Sequence, residues 1–254
     1  MSAGDLASRV YLLDGGTLVI DGYHLYWNVG PGGEVRFPCY SILVDHPEGK
    51  FLFDTGYDLD HVNAVLPFEK PEQTPEQTIP GQLKLIGIDP GDVTHVINSH
   101  YHFDHVGGNR HLPNATTIAH ERELSQSRHF EPFERLGYSD KSFDAIGTRY
   151  ELIKGDTELA KGVELVETPG HTAGHVSLLV RLAGRRPMLF TGDAAYTQAS
   201  LDREIIAGFH LDPVASVRSL RLLKDLARDN EAEVFCSHDA DSYQGWSKAP
   251  AYYQ

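Results

Sequence analysis

The stretch NSHYHFDHVGGN, Asn98 to Asn109, places three histidines and an aspartate within the six positions His100 to His105. Imidazole nitrogens and carboxylate oxygens suit zinc and related divalent ions. Polar groups packed this densely are costly in a folded chain unless an ion organises them. In an extended segment, residues two apart point the same way, so His100 and His102 can reach one ion together. A turn at Phe103 then aims Asp104 and His105 elsewhere, and one loop is expected to serve two ions.

Working outward, DVTHVINS reads as a strand that delivers this cluster, and Asn114 to Ile118 as the next short strand. Upstream, VYLLDGG is a further strand, and CYSILVDHPEGKFLFDTG is a hairpin folded at His46-Pro47-Glu48-Gly49. LPFEKPEQTPEQTIPG, rich in proline and polar residues, reads as an exposed loop of the kind that borders a binding site. Helix is expected only in the first part of HERELSQSRHFEPFERLGYSDKSF. GVELVETPGHTAGHVSLLVRL and RPMLFTGDAAY repeat the scheme of an apolar strand followed by a polar turn. Val214, Val217, Leu220, Leu223 and Ala227 recur at helical spacing behind Asp212 as N-cap and Pro213 in the first turn, which predicts a helix from there to Asn230. AEVFCSHD then reads as a last buried strand ending at His238. No linker divides the chain, so residues 1–254 are expected to form one α/β domain of sheets packed between helices.

Three more ligand candidates lie at strand ends far from the first loop: His171 in TPGHTAGH, Asp193 in FTGDAAY and His238 in CSHD. Together with His100, His102, Asp104 and His105 they suit two four-coordinate ions sharing a bridging carboxylate and a bridging water. His175, four residues after His171, reads as support for this set. The isolated His24, His46, His61, His111, His120 and His129 read as hydrogen-bonded structural residues.

The formal net charge of −14 repels phosphate backbones and anionic lipid surfaces, so neither nucleic acid nor membrane is an expected partner. No apolar run approaches the roughly 20 residues of a membrane span. Two distant cysteines, Cys39 and Cys236, and a start, MSAGDLASRVYLL, without a basic segment followed by an apolar one point to a cytoplasmic protein with free thiols.

HYHFDH matches the HxHxDH signature of the metallo-β-lactamase superfamily, and the order of HYHFDH, TPGHTAGH, TGDAAY and SHD resembles that superfamily's metal motifs along nearly the whole chain. The resemblance implies an αββα sandwich, two mixed β-sheets packed between helices. FDTG, DAAYT and SHD resemble the lactonases that open N-acyl homoserine lactones, the quorum-quenching group. GGEVRFPCYSIL, LPFEKP, QTIPG and LGYSDKSF resemble most the 4-pyridoxolactonases, vitamin B6-degrading members of the same group. By resemblance, His100, His102 and His171 would hold one zinc ion, Asp104, His105 and His238 the other, and Asp193 would bridge. Other divalent transition metals would fit the same donors. Antibiotic-hydrolysing members commonly carry cysteine at the bridging position, so Asp193 argues against that activity.

The implied reaction is attack on a lactone carbonyl by a hydroxide held between two zinc ions, where the pKa of water falls to about 7. Asp104 would shuttle the proton, Tyr196 would donate a hydrogen bond to the carbonyl oxygen, and Asp54 in FDTG would orient ligands without binding metal. Phe68, Phe103, Tyr138, Tyr196 and Phe209 would furnish the substrate pocket, whether a groove for an acyl chain or a compact site for a ring. A thioester hydrolase of the glyoxalase II kind would share the ligands but calls for a basic patch. A phosphodiesterase calls for a basic surface, a diiron oxidoreductase for a flavin domain, and a metal-stabilised binding module for no open water position. The expected partner is a small lactone, with a homodimer left open.

Overall fold

Along the long strands, successive apolar side chains go to opposite faces. Leu12, Ile42, Val44, Phe51 and Phe53 enter one core, while Tyr11, Leu13, Leu43 and Leu52 enter another behind it. A computed structural model describes residues 6–144 and 147–254. The first five residues of the leader reading, MSAGD, lie outside that range.

The first sheet holds β1 (Arg9–Asp21), β2 (Glu34–His46), β3 (Gly49–Phe53), β4 (His95–Ile97), β5 (Thr116–His120) and β6 (Arg149–Ile153) in that spatial order. Its first two pairings are antiparallel and the other three parallel. The second comprises β7 (Thr157–Ala160), β8 (Val163–Glu167), β9 (Val176–Val180), β10 (Met188–Phe190) and β11 (Glu233–Phe235), ordered β11-β10-β9-β8-β7 with only β10 and β11 parallel. Leu165, Leu178, Val180, Met188 and Phe190 of this sheet meet Leu12, Val44 and Phe53 of the first in a shared core. On the outer faces, Ile79 and Leu83 of the helix Ile79–Leu85 cover the first sheet, and Leu220 and Leu223 of the helix Pro213–Asp229 cover Leu179 and Leu189 of the second. Each fully buried Leu contributes about 1.5–3 kcal/mol. The result is the expected αββα layering.

The hairpin forms as read, with His46 opposite Gly49. Asp212 caps the helix Pro213–Asp229 by accepting from the amides of Val214 and Ala215 at 2.9 and 3.0 Å. Helix is also found in the first part of the next ambiguous segment, at Glu121–Arg128. Three segments depart from the sequence reading. In HERELSQSRHFEPFERLGYSDKSF helix is not confined to the first part, since Asp140–Phe143 near its end is helical as well. β1 does not stop at the DGG turn signal but runs through it, because the register slips between Asp14 and Thr17 and absorbs the glycines in a bulge. The proline-rich stretch is not a plain exposed loop: it contains the 3-10 turns Pro67–Glu69 and Pro75–Gln77 and the start of the helix Ile79–Leu85, capped by Thr78. Prolines there occupy first-turn positions, where a helix tolerates them. Cys39 and Cys236 are buried free thiols. Among the described residues no helix is long and apolar enough to cross a membrane.

Candidate metal centre

Every candidate ligand follows a strand end on the same rim of the sandwich. β4 ends at Ile97, β8 at Glu167, β10 at Phe190 and β11 at Phe235, just ahead of His100, His171, Asp193 and His238. His102 occupies the N-cap position of the one-turn helix Phe103–Val106, so the turn expected at Phe103 is helical, and it places Asp104 and His105 in a donor group separate from that of His100 and His102. Gly192 adopts φ 51°, and a Cβ there would meet His175 Nε2 at 2.8 Å and Ser99 Cβ at 3.0 Å. Only glycine fits that left-handed, crowded position ahead of Asp193.

The donors gather in two groups, His100 with His102 and His171, and Asp104 with His105, Asp193 and His238. Within each, the ligand atoms lie within 4.8 Å of one another. Asp193 faces both: Oδ2 is 3.4 Å from His171 Nε2 and 3.8 Å from His100 Nε2, while Oδ1 is 3.2 Å from both His105 Nε2 and His238 Nε2.

The far sides of three rings are fixed. His171 Nδ1 donates to the Phe209 carbonyl (2.6 Å), His238 Nδ1 to the Pro38 carbonyl (3.0 Å) and His105 Nδ1 to Asp54 Oδ2 (2.8 Å). Their Nε2 lone pairs therefore converge on the centre. Asp54 also accepts from the Ser99 amide at 2.7 Å. His175 takes no place in either group. Its Nε2 accepts from the Asp193 amide at 2.9 Å, and its Nδ1 pairs with Thr168 Oγ1 at 2.8 Å. Glu123, buried at 1% exposure, accepts from the amides of Tyr101 and Gly174, both at 3.0 Å, and so ties the loop of His100 and His102 to the loop of His171.

These residues fit a pair of divalent cations. His171 Nε2 sits 3.2 Å from His100 Nε2 and 3.0 Å from His102 Nδ1, three ring nitrogens crowded around one point. His105 Nε2 and Asp193 Oδ1 are buried without a hydrogen-bond partner. Burial pushes His102 and His171 down to about 3 and His100 well down too, so this group presents neutral imidazoles. In the second group burial opposes charge on His105 and His238, but Asp193 and Asp104 outweigh it and raise both. Burial works against the Asp193 carboxylate as well, yet His105 and His238 hold it well below its ordinary range. A site that draws protons to its histidines in this way is one in which a cation displaces protons.

The two groups form the floor of a cavity of about 240 Å³. Its walls are mainly apolar, with Ile20, Phe37, Leu66, Phe68, Phe103 and Phe209 prominent among them. Tyr196 lines it as well and packs edge-on against His238, with ring centroids 4.8 Å apart.

The sequence profile of the metallo-β-lactamase superfamily matches residues 35–238. The chain belongs to the metallo-β-lactamase superfamily. Within it, the N-acyl homoserine lactonase AttM of Azorhizobium caulinodans is 34% identical over 258 residues, spanning 96% of this chain and 98% of that protein. A solved N-acyl homoserine lactone hydrolase, with the product N-hexanoyl-L-homoserine bound at its catalytic metal centre, is similar at a TM-score of 0.87 and 30% identity, over 98% of this chain and 100% of the other. AidC, a dizinc quorum-quenching lactonase, shares the fold at a TM-score of 0.73 and 17% identity, over 97% and 94% of the two chains.

In this superfamily member the structure brings the seven candidate ligands together and sets Asp54 against His105. Phe68, Phe103, Tyr196 and Phe209 line the cavity. Tyr138 does not: it is buried behind His102, with ring centroids 5.1 Å apart, and stacks on Phe130. Sequence reasoning missed Glu69 in the cavity wall and Glu123 beneath the two loops. The available signal for Glu69 was its place three residues after Leu66, since positions i and i+3 of a 3-10 turn share a face.

Proposed function

We propose that this chain is a metal-dependent lactone hydrolase holding two zinc ions, with His100, His102 and His171 at one, Asp104, His105 and His238 at the other, and Asp193 bridging. The observation that carries this reading is the Asp193 carboxylate, one oxygen turned to each donor group at the floor of an apolar cavity. Histidine and carboxylate donors suit zinc, and other divalent transition metals fit as well. The ions, when bound, supply a nucleophilic hydroxide near neutral pH and a Lewis acid for the carbonyl oxygen.

The chain's own residues do the rest. Asp104 lines the cavity 3.5 Å from His105 Nε2 and 3.6 Å from His238 Nε2, and takes the proton that the leaving ring oxygen later needs. Burial, with Asp193 and Asp104 nearby, holds the Tyr196 phenol well above its ordinary pKa, so it keeps its proton and serves as a donor to the carbonyl oxygen. The apolar walls exclude bulk water and strengthen both contacts.

The thioester reading is weaker because the described residues of the cavity wall include no lysine or arginine to receive the carboxylates of a thiol carrier. The compact volume favours a lactone with a small or flat substituent over one with a long chain. Steady-state hydrolysis of a panel with N-acyl homoserine lactones, a pyridine-fused lactone, a glutathione thioester and a phosphodiester tests the reading. Lactone turnover that chelation abolishes and zinc restores is expected, and preferential thioester turnover would overturn it.

A further inference from the structure

The cavity contains a carboxyl group that this hydrolysis does not use. Glu69 ends the 3-10 turn Pro67–Glu69, is 7% exposed, and lines the cavity among Ile20, Phe37, Leu66 and Phe68. Its amide is bonded to the Leu66 carbonyl at 3.0 Å, but its carboxyl meets only burial and repulsion from Asp104 among the described residues. The cations nearest in sequence are turned away. Lys70, in a left-handed conformation at φ 45°, pairs with Glu34, and Arg36 pairs with Glu72 at 3.0 Å.

A carboxyl buried in an apolar wall without a donor is costly. Glu69 is among the residues lining the cavity that a substrate would fill, which leaves the substrate as the source of the missing donor. The other titratable carboxyls of that wall, Asp104, Glu134 and Asp193, make an anionic substituent unwelcome there.

We propose that Glu69 is a specificity-determining residue whose carboxyl accepts a hydrogen bond from an N–H or O–H group carried by the lactone away from its reacting carbonyl. This rests on the lactonase reading. The substrate class is thereby narrowed to lactones bearing an amide N–H, a protonated ring nitrogen or a hydroxyl. Lactones that are hydrocarbon outside the ring leave Glu69 unpaired and lose accordingly.

The test measures kcat/KM for zinc-loaded wild type, Glu69→Gln and Glu69→Leu on matched pairs: N-hexanoyl-homoserine lactone against γ-decanolactone, a pyridine-fused γ-lactone and the hydroxyphthalides against phthalide. Wild type should favour a donor-bearing member of at least one pair by about tenfold to a hundredfold. Glu69→Leu should erase that preference by slowing only the donor-bearing lactone. Glu69→Gln, isosteric and still an acceptor through its amide oxygen, should keep part of it, and decides the matter if the Leu variant is poorly folded. An equal loss on both members, a preference that survives undiminished in Glu69→Leu or in Glu69→Gln, or no preference in wild type would overturn the role of Glu69 alone. Hydrolysis of none of these lactones would overturn the lactonase reading and the proposal together.

Discussion

The two donor groups differ in how they handle charge. His100, His102 and His171 form an all-imidazole group that burial keeps neutral, whereas Asp104, Asp193, His105 and His238 form a mixed group in which carboxylates draw positive charge inward. The first offers lone pairs without competing protons, and the second must release protons as a cation enters. Their supports differ too: Glu123 steadies the loops of the first group, and Asp54 the ring of His105 in the second. Similar donors a few ångströms apart are thereby expected to differ in affinity and in pH response.

The largest effect is expected where that contrast vanishes. Asp193→Ala removes the carboxylate common to both groups and should cost more than about a hundredfold in kcat/KM together with metal content, read by elemental analysis. Retention of two ions with full activity would contradict a bridging role. The supports sharpen the contrast. Asp54→Asn should weaken one of two binding steps by about tenfold to a hundredfold in a chelator competition, leaving the other nearly intact, while Glu123→Gln should weaken the other step by about tenfold. Identical effects on both steps would show that the groups act as one.

Tyr196→Phe tests the cavity side of the centre. A loss of about tenfold to a hundredfold in kcat with unchanged metal content is expected, since a bound cation shares the polarisation of the carbonyl oxygen. Unchanged kcat with a lowered Tm would reduce Tyr196 to packing.

The smallest effect concerns stability. Folding raises the Glu69 carboxyl from its ordinary 4.5 to about 8, so the folded chain keeps a proton that the unfolded chain has released. The contribution of this group to stability therefore declines as pH rises across that window. Glu69→Gln has no such proton, and its Tm should exceed that of wild type by a few degrees at pH 8 and by little at pH 5. A constant difference at both pH values would refute the assignment.

The candidate metal residues were legible because ligand chemistry restricts residue types, and each lies just beyond a strand end. The αββα layering was legible through the resemblance carried by HYHFDH, TPGHTAGH, TGDAAY and SHD, while the residues by themselves pointed only to sheets packed between helices. What escaped was tertiary. The glycines of β1 look like a turn, and only pairing with β2 shows a bulge. Tyr138, in LGYSDKSF, was one of the aromatic residues expected to furnish the pocket, yet the fold turns it behind His102. Glu69 looks like one more charge in a polar loop until the 3-10 turn places it beside Leu66.

As a polymer, this chain is stapled at its metal centre. His102 and His171 stand 69 positions apart and His238 meets the carbonyl of a residue 200 positions away, yet all converge on one rim while Cys39 and Cys236 remain separate thiols. An ion gripped by such distant residues is a reversible cross-link, and closing loops of this length withdraws on the order of 4 kcal/mol of chain entropy from the unfolded ensemble. Loss of metal then loosens the union of the two halves as well as stopping turnover. A variant that cannot catalyse but still binds its ions should remain as hard to unfold as the active enzyme.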